Sequence, residues 1–175
     1  MLKVQKGDLD KMSLLFEQYH RRLYHFFYRL NRRRDVSEDL VQSVFERLLK
    51  YRSSYSGEGS FSTWIFQIAR NVHADHYRKH QHEAYVDDLI DFNQLADEST
   101  GPDDHQPDKN ELKWLQLALD QLDPTKKQTL VLSRFQGFKY KEIAEIMDCS
   151  ESAVKVRVFR AIRELKVLIN ELKGV

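Results

Sequence analysis

The chain has 175 residues, 41% of them hydrophobic and 31% charged, enough apolar content for one ordinary domain or two small ones and too short for a large multidomain enzyme. It has no run of eighteen apolar residues, no secretory pattern in its first twenty and a single cysteine, Cys149; a membrane span, an exported chain, an internal disulfide and a cysteine zinc site are all disfavoured, and a cytoplasmic chain without metal or other cofactor is expected. The net charge of +1 conceals an uneven distribution: residues 1 to 82 carry fifteen Lys and Arg against nine Asp and Glu, residues 83 to 111 one against ten, and residues 112 to 175 twelve against eight.

Leu9, Met12, Phe16, Tyr19, Leu23, Phe26 and Leu30 recur three or four apart, which predicts an amphipathic helix over residues 9 to 30 that starts near Asp8 and breaks at NRRRD. Asp35 with Glu38 three residues on has the form of a capping box, and Leu40, Val41, Val44, Phe45, Leu48 and Leu49 form the stripe of a second helix. SSYSGEGS reads as a loop. Phe61, Trp64, Ile65, Ile68 and Val72 then mark a third helix running toward Arg78, and at about 100° per residue they share one arc, so Trp64 is expected in the core.

The opposite arc of that helix carries Phe66, Arg70, His73 and Tyr77, flanked by Gln67, Asn71 and Arg78. Aromatics among cations suit extruded bases, which stack on the rings while the cations follow the phosphates; a protein contact would use the same aromatics. His73, Asp75 and His76 look like metal ligands, but Asp75 points well away from His73 around the helix and no second ligand cluster is present, so a metal hydrolase is disfavoured.

Residues 83 to 111, with DDLIDF and DESTGPDDHQPDKNE, hold Gly101, Pro102 and Pro107 and show little helical period; they are expected to be a flexible acidic linker. The basic blocks on either side favour polyanion partners. Beyond the linker, Asp123 and Pro124 form an N-cap and first-turn pair, and Gly137 sits where that helix should end. YKEIAEIMDCSESAVKVRVFRAIRELK follows: a short helix with Ile143, Ala144 and Met147 inward, a tight turn, and a helix capped by Ser150, which is a helix-turn-helix pattern. On its second helix Val154, Val158, Ala161, Leu165 and Leu168 share the core arc. The other arc shows Ser152, Val156, Phe159, Arg160, Arg163 and Lys166, flanked by Lys155 and Arg157. Ser152, Lys155, Val156 and Arg160 are candidates for base edges or nearby phosphates, Arg163 and Lys166 for the backbone, and Val156 and Phe159 for thymine methyls or sugars. The fold class expected is all-α, two small helical domains (1 to 82 and 112 to 175) joined by the acidic linker.

The strings SEDLVQSVFERLLKYR, FSTWIFQIARNVHADHYRK and FQGFKYKEIAEIMDCSESAVKVRVFRAIREL, in that order and spacing, resemble the extracytoplasmic-function (ECF) sigma factors of the bacterial sigma-70 family over nearly the whole chain. The resemblance implies a non-catalytic protein whose N-terminal four-helix domain, region 2, grips core RNA polymerase and opens the −10 element, and whose C-terminal domain, region 4, reads the −35 element of promoter DNA. Asp39, Gln42 and Phe45 match the segment that docks on the polymerase clamp. Asn71 and the loop from Ser53 to Ser60, which holds Tyr55, match the pocket for a flipped −10 base; Phe66, Arg70 and Tyr77 join the −10 candidates from the arc of cations and aromatics described above. Lys155, Val156 and Arg160 match −35 reading positions, and Val156 departs from the small polar residue often found there. A sequestering anti-sigma factor is common in that family and is an expected partner; exposed apolar patches on both domains would admit one. With no heptad seam left over, the free chain is expected to be a monomer. Two other readings stay open at this point. One is a transcriptional regulator with N-terminal helices for dimerisation or sensing, the other a helical metal phosphohydrolase around His73 and His76.

Overall fold

The computed structural model describes residues 1–79 and 109–174, and all of their regular structure is helical. The expected linker at 83 to 111 lies outside these residues except for its last three, which already belong to a helix. The N-terminal region comprises α1 (Leu2–Gln5), α2 (Met12–Asn31), α3 (Arg34–Lys50) and α4 (Phe61–Lys79); the C-terminal region comprises α5 (Lys109–Gln121), α6 (Pro124–Arg134), α7 (Tyr140–Met147) and α8 (Glu151–Lys173). Among the described residues no helix is long and apolar enough to cross a membrane.

Helix α2 begins three residues later than its periodicity suggests, because Leu9–Lys11 form a 3-10 turn ahead of Met12. It stops at Arg32, which takes a left-handed backbone (φ 59°) and donates its N–H to the Tyr28 carbonyl. Leu15, Tyr19, Leu23, Phe26 and Phe27 are buried, whereas Leu9 and Phe16, assigned to the same stripe by spacing, are exposed. The capping box expected at Asp35 and Glu38 does not form. Arg33 is the N-cap of α3, in extended backbone with no side-chain cap, and Asp35 sits inside the first turn, where Arg33 Nη2 donates to it at 2.6 Å. That bond holds the Asp35 carboxyl below its usual range.

In the C-terminal region the expected caps are present. Asp123 accepts N–H bonds from Thr125 and Lys126, and Ser150 accepts one from Ala153 at 3.2 Å. Between α7 and α8 the chain turns through Asp148 in left-handed backbone (φ 52°), with Cys149 N–H donating to the Ala144 carbonyl at 3.0 Å. Ile143, Ile146 and Met147 of α7 bury against Val154, Val158 and Ala161 of α8, and α5 and α6 complete the packing.

The two regions do not stand apart. Helix α7 lies along α4 and α6 touches α2, so a single apolar core runs through both regions. Phe138, from the loop before α7, packs edge-on against Phe66 of α4 with ring centres 4.9 Å apart, and Phe66 in turn packs on Phe26 at 5.4 Å. Arg22 lies over both Phe66 and Phe138 and donates to the Gln136 carbonyl, while Arg29 sits 3.9 Å over the Phe135 ring. A polar patch continues the seam. Lys127, 8% exposed, donates to Asp120 (2.7 Å) and to the Leu30 carbonyl (2.8 Å), and Arg32 bonds the other Asp120 oxygen at 2.6 Å.

Candidate nucleic-acid and polymerase interfaces

Helix α8 presents its outer face free of the core. Ser152, Lys155, Val156, Phe159, Arg160 and Arg163 are all exposed, Val156 and Phe159 at 47% and 62%, while the opposite arc holds the buried Val154, Val158 and Ala161. Two apolar side chains left in solvent among cations lose the burial that would stabilise them by about 25 cal/mol per Å², so the free helix carries unspent contact surface. Lys155 pairs with Glu151 one turn back at 2.9 Å, which raises its pKa and keeps it charged. Arg163 lies 5.8 Å from the Phe159 ring, and Arg157 tucks back onto Cys149 Sγ at 3.3 Å, fixing the turn to the helix. The six α8 candidates therefore form one contiguous face.

On α4 the candidates divide. Arg70 is half-buried, Asn71 is exposed and Tyr77 is 39% exposed. Phe66, expected on the DNA-facing arc, is fully buried: the helical period correctly placed it opposite Trp64, but Phe26 and Phe138 cover that side of the helix. Tyr55 is likewise buried, its ring against Trp64 at 5.0 Å and Phe61 at 5.7 Å, and does not offer a face to a base. Trp64 itself is half-buried on the rim of the core.

Asn71 opens into a cavity of about 370 Å³ whose lining includes Arg47, Tyr51, Ile68, Asp75 and Arg78. Tyr51, 49% exposed with Lys50 5.6 Å from its ring, is the aromatic wall that the sequence reading passed over, having begun the loop at Ser53. The signal was there: a tyrosine immediately after the last helical lysine. Asp75 is held by Arg47 at 2.6 Å and by Arg78, and these bonds, Arg47 first, lower its pKa. It serves as an anchor for two arginines. His73 donates from Nε2 to Asn31 Oδ1 at 2.9 Å. Burial above all, with the charges of His76 and Lys127, brings its pKa down to about 4, so it is neutral at pH 7. No group of three or more metal-ligating side chains exists among the described residues.

Asp39 and Gln42 are exposed on α3, and Phe45, one turn on, is 7% exposed. Its cover is Phe16 of α2, ring centres 4.9 Å apart, and Phe16 stacks flat on His20 at 4.9 Å and 3°. Phe16 is 43% exposed, giving an aromatic surface over Phe45, while Leu14, 55% exposed, lies on the other side of the buried Leu15. Spacing had assigned Phe16 to the core, since period alone does not mark where a stripe reaches the edge of a bundle.

Two family models match the chain, sigma-70 region 2 over residues 15–83 and sigma-70 region 4 over residues 112–165. The RNA polymerase sigma factor CarQ of Myxococcus xanthus is 30% identical over 174 residues, covering 99% of this chain and 97% of the relative. The ECF RNA polymerase sigma factor SigX of Bacillus subtilis is 29% identical over 160 residues, covering 90% and 82%. In fold, the chain is similar to the sigma factor RpoE solved in complex with the anti-sigma factor NepR from Bartonella quintana, with a TM-score of 0.71 at 23% identity over 90% of this chain and 96% of that one.

Proposed function

The chain belongs to the ECF sigma factors of the sigma-70 family and so directs core RNA polymerase to promoters without itself being an enzyme; from that premise we propose how its own residues divide the work. Residues 1–82 act as region 2. Asp39 and Gln42, with Phe45 beneath the exposed Phe16 ring, dock on the polymerase clamp. Residues 112–175 act as region 4, in which α7 and α8 form a helix-turn-helix that reads the −35 duplex. What supports this most directly is the α8 face: Lys155, Val156 and Arg160 toward base edges, Ser152 at the helix start, Phe159 on sugars and methyls, and Arg163 on the backbone.

Strand opening follows from the α4 side. Each duplex step costs about 1.4 kcal/mol to unstack, and a base stacked on an aromatic ring returns about 1 to 3 kcal/mol. The Asn71 cavity, walled by Tyr51, takes an extruded −10 base; Tyr77 and Arg70 hold the strand beside it. Tyr55 supports this pocket from behind through Trp64. Between the regions, ten carboxylates in residues 83 to 111 imitate a phosphate chain and suit a cationic channel of the polymerase where nucleic acid later runs. An anti-sigma factor is the expected antagonist, and the exposed apolar residues Leu14, Phe16 and Phe159 are surfaces it would cover.

The experiment is transcription in vitro with core polymerase on fragmented genomic DNA, mapping transcript 5′ ends. Discrete starts that share two upstream elements at fixed spacing are expected. Their absence, together with site-selective duplex binding by the protein alone, would overturn the assignment of region 2 to core polymerase.

A further inference from the structure

Ahead of α2 the chain folds onto the loop that follows α3. Helix α1 covers four residues, far below the length at which an isolated helix holds in water, so its shape depends on what it packs against. Val4 is fully buried, and Leu2 lies so close over the loop that a Cβ on Gly57 would stand 2.9 Å from Leu2 Cδ2. Gly57 also has left-handed backbone (φ 81°), so glycine suits the position on both counts. Gln5 completes the contact. Its Nε2 donates to the Tyr55 carbonyl at 2.8 Å and to the Ser53 carbonyl at 3.3 Å, one amide hydrogen for each.

These two carbonyls lie on either side of Ser54, which ends the 3-10 turn Arg52–Ser54. Ser54 closes that turn toward α3, because its N–H (2.9 Å) and its hydroxyl (2.7 Å) both donate to the Tyr51 carbonyl. Tyr51, the aromatic wall of the Asn71 cavity, is therefore joined through one turn of backbone to the carbonyls that Gln5 holds. We propose that Gln5 is a positioning residue for the −10 pocket: it pins the Arg52–Ser54 turn and through it fixes where Tyr51 stands in the cavity wall. The inference rests on the assignment of that cavity to an extruded base. A tyrosine on a loose turn loses conformational freedom each time a base is captured, whereas one on a pinned turn has already lost it on folding, so the same stacking contact holds the base more tightly. Sequence spacing gives no hint of this, since Gln5 stands 48 and 50 positions before its acceptors.

Two variants of the full chain separate the donor from the side chain that carries it. Gln5→Glu keeps the size and removes the donor, and Gln5→Lys restores a donor. The first readout needs no DNA: hydrogen exchange at the Ser54 and Tyr55 amides, both bonded within the turn, should quicken about threefold to tenfold in Gln5→Glu and return toward the original rate in Gln5→Lys. The second uses holoenzyme assembled on core polymerase and a single-stranded oligonucleotide carrying the −10 element of a promoter mapped by its transcript 5′ ends. The same strand is prepared with an abasic site at each position in turn. At the position where the missing base matters most, the ratio of intact to abasic affinity should fall about threefold to tenfold in Gln5→Glu and recover in Gln5→Lys, with affinity for core polymerase unchanged throughout. A role in folding alone would instead lower core affinity and would leave the ratio where it was. The proposal is overturned if the turn exchanges at its original rate in Gln5→Glu, if Gln5→Lys fails as Gln5→Glu does, or if the ratio survives Gln5→Glu while Asn71→Ala abolishes it. Should Asn71→Ala also leave the ratio intact, the pocket assignment is what fails, and the role of Gln5 falls with it.

Discussion

Asp123 and Phe66 mark the two kinds of residue on which this fold depends. Asp123 accepts two of the orphan N–H groups at the start of α6, and Pro124 occupies the first turn, where its missing N–H costs nothing. Asp123→Ala is therefore expected to lower unfolding free energy by about 1 kcal/mol in urea denaturation. Phe66 bridges the two regions with no exposed surface, and Phe66→Ala should cost about 3 to 5 kcal/mol by the same measurement. Had Phe66 faced DNA, the substitution would leave stability almost untouched and lower only transcription. Chemical denaturation alone thus separates the core role from the DNA role. Phe66 also shows where sequence reading stops. Period places a side chain on one side of its helix, but Phe138 lies 72 positions on, and nothing local to α4 announces that contact. The exposure of the α8 candidates was legible because their helix has only one covered side, and local period is then sufficient.

At the scale of elements, α4 is tied to α2 by the bond between His73 and Asn31, with Lys127 of α6 and His76 of α4 as the charges that press on the imidazole. The folded chain holds His73 neutral to about pH 4, whereas the unfolded chain protonates it near the ordinary value of 6.5. As pH falls the unfolded state takes up the proton first. This contribution to stability is full above pH 6.5, is lost progressively between 6.5 and about 4, and reaches roughly 3 kcal/mol. Asp35 and Asp75, whose pKa values are also lowered, act in the same direction at lower pH: their contributions are present above the unfolded carboxylate value and fade below it, outside most of the histidine window. Unfolding midpoints followed from pH 7.5 to 4.5 should decline, and His73→Gln should flatten the decline. The helix boundaries themselves were mostly legible, since Gly137, Ser150 and Asp123 act locally. The exceptions are the start of α2, delayed by the 3-10 turn at Leu9–Lys11, and the start of α3, where an Asp and Glu pair has capping-box spacing but the helix has already begun at Arg34 and Arg33 holds Asp35 inside its first turn.

Over the whole molecule, the seam between the regions is built from contacts that no short window of sequence contains: Arg22 to Gln136, Gln67 to the Glu145 carbonyl, Lys127 to the Leu30 carbonyl. Reading by composition expected two helical regions on a linker and said nothing of packing between them, where apolar faces of α4 and α7, each unremarkable alone, complete one core. Arg22 is a useful probe, being half-buried over Phe66 of its own region and reaching across the seam to Phe138 and the Gln136 carbonyl. Arg22→Ala is expected to enlarge the radius of gyration in solution scattering and to raise transcription at limiting protein. An unchanged radius with unchanged transcription would mean that the remaining seam contacts suffice.

The covered position of Phe66 has a quantitative consequence for how strongly the protein competes for its polymerase. If only an opened fraction is competent to dock and read, the apparent dissociation constant is the intrinsic one divided by that fraction, so each 1.4 kcal/mol by which the seam favours packing weakens the complex tenfold. Substitutions at Phe138, whose ring packs on Phe66 and under Arg22, would then tune the occupancy of polymerase over orders of magnitude, with the seam setting the protein level at which its promoters begin to fire.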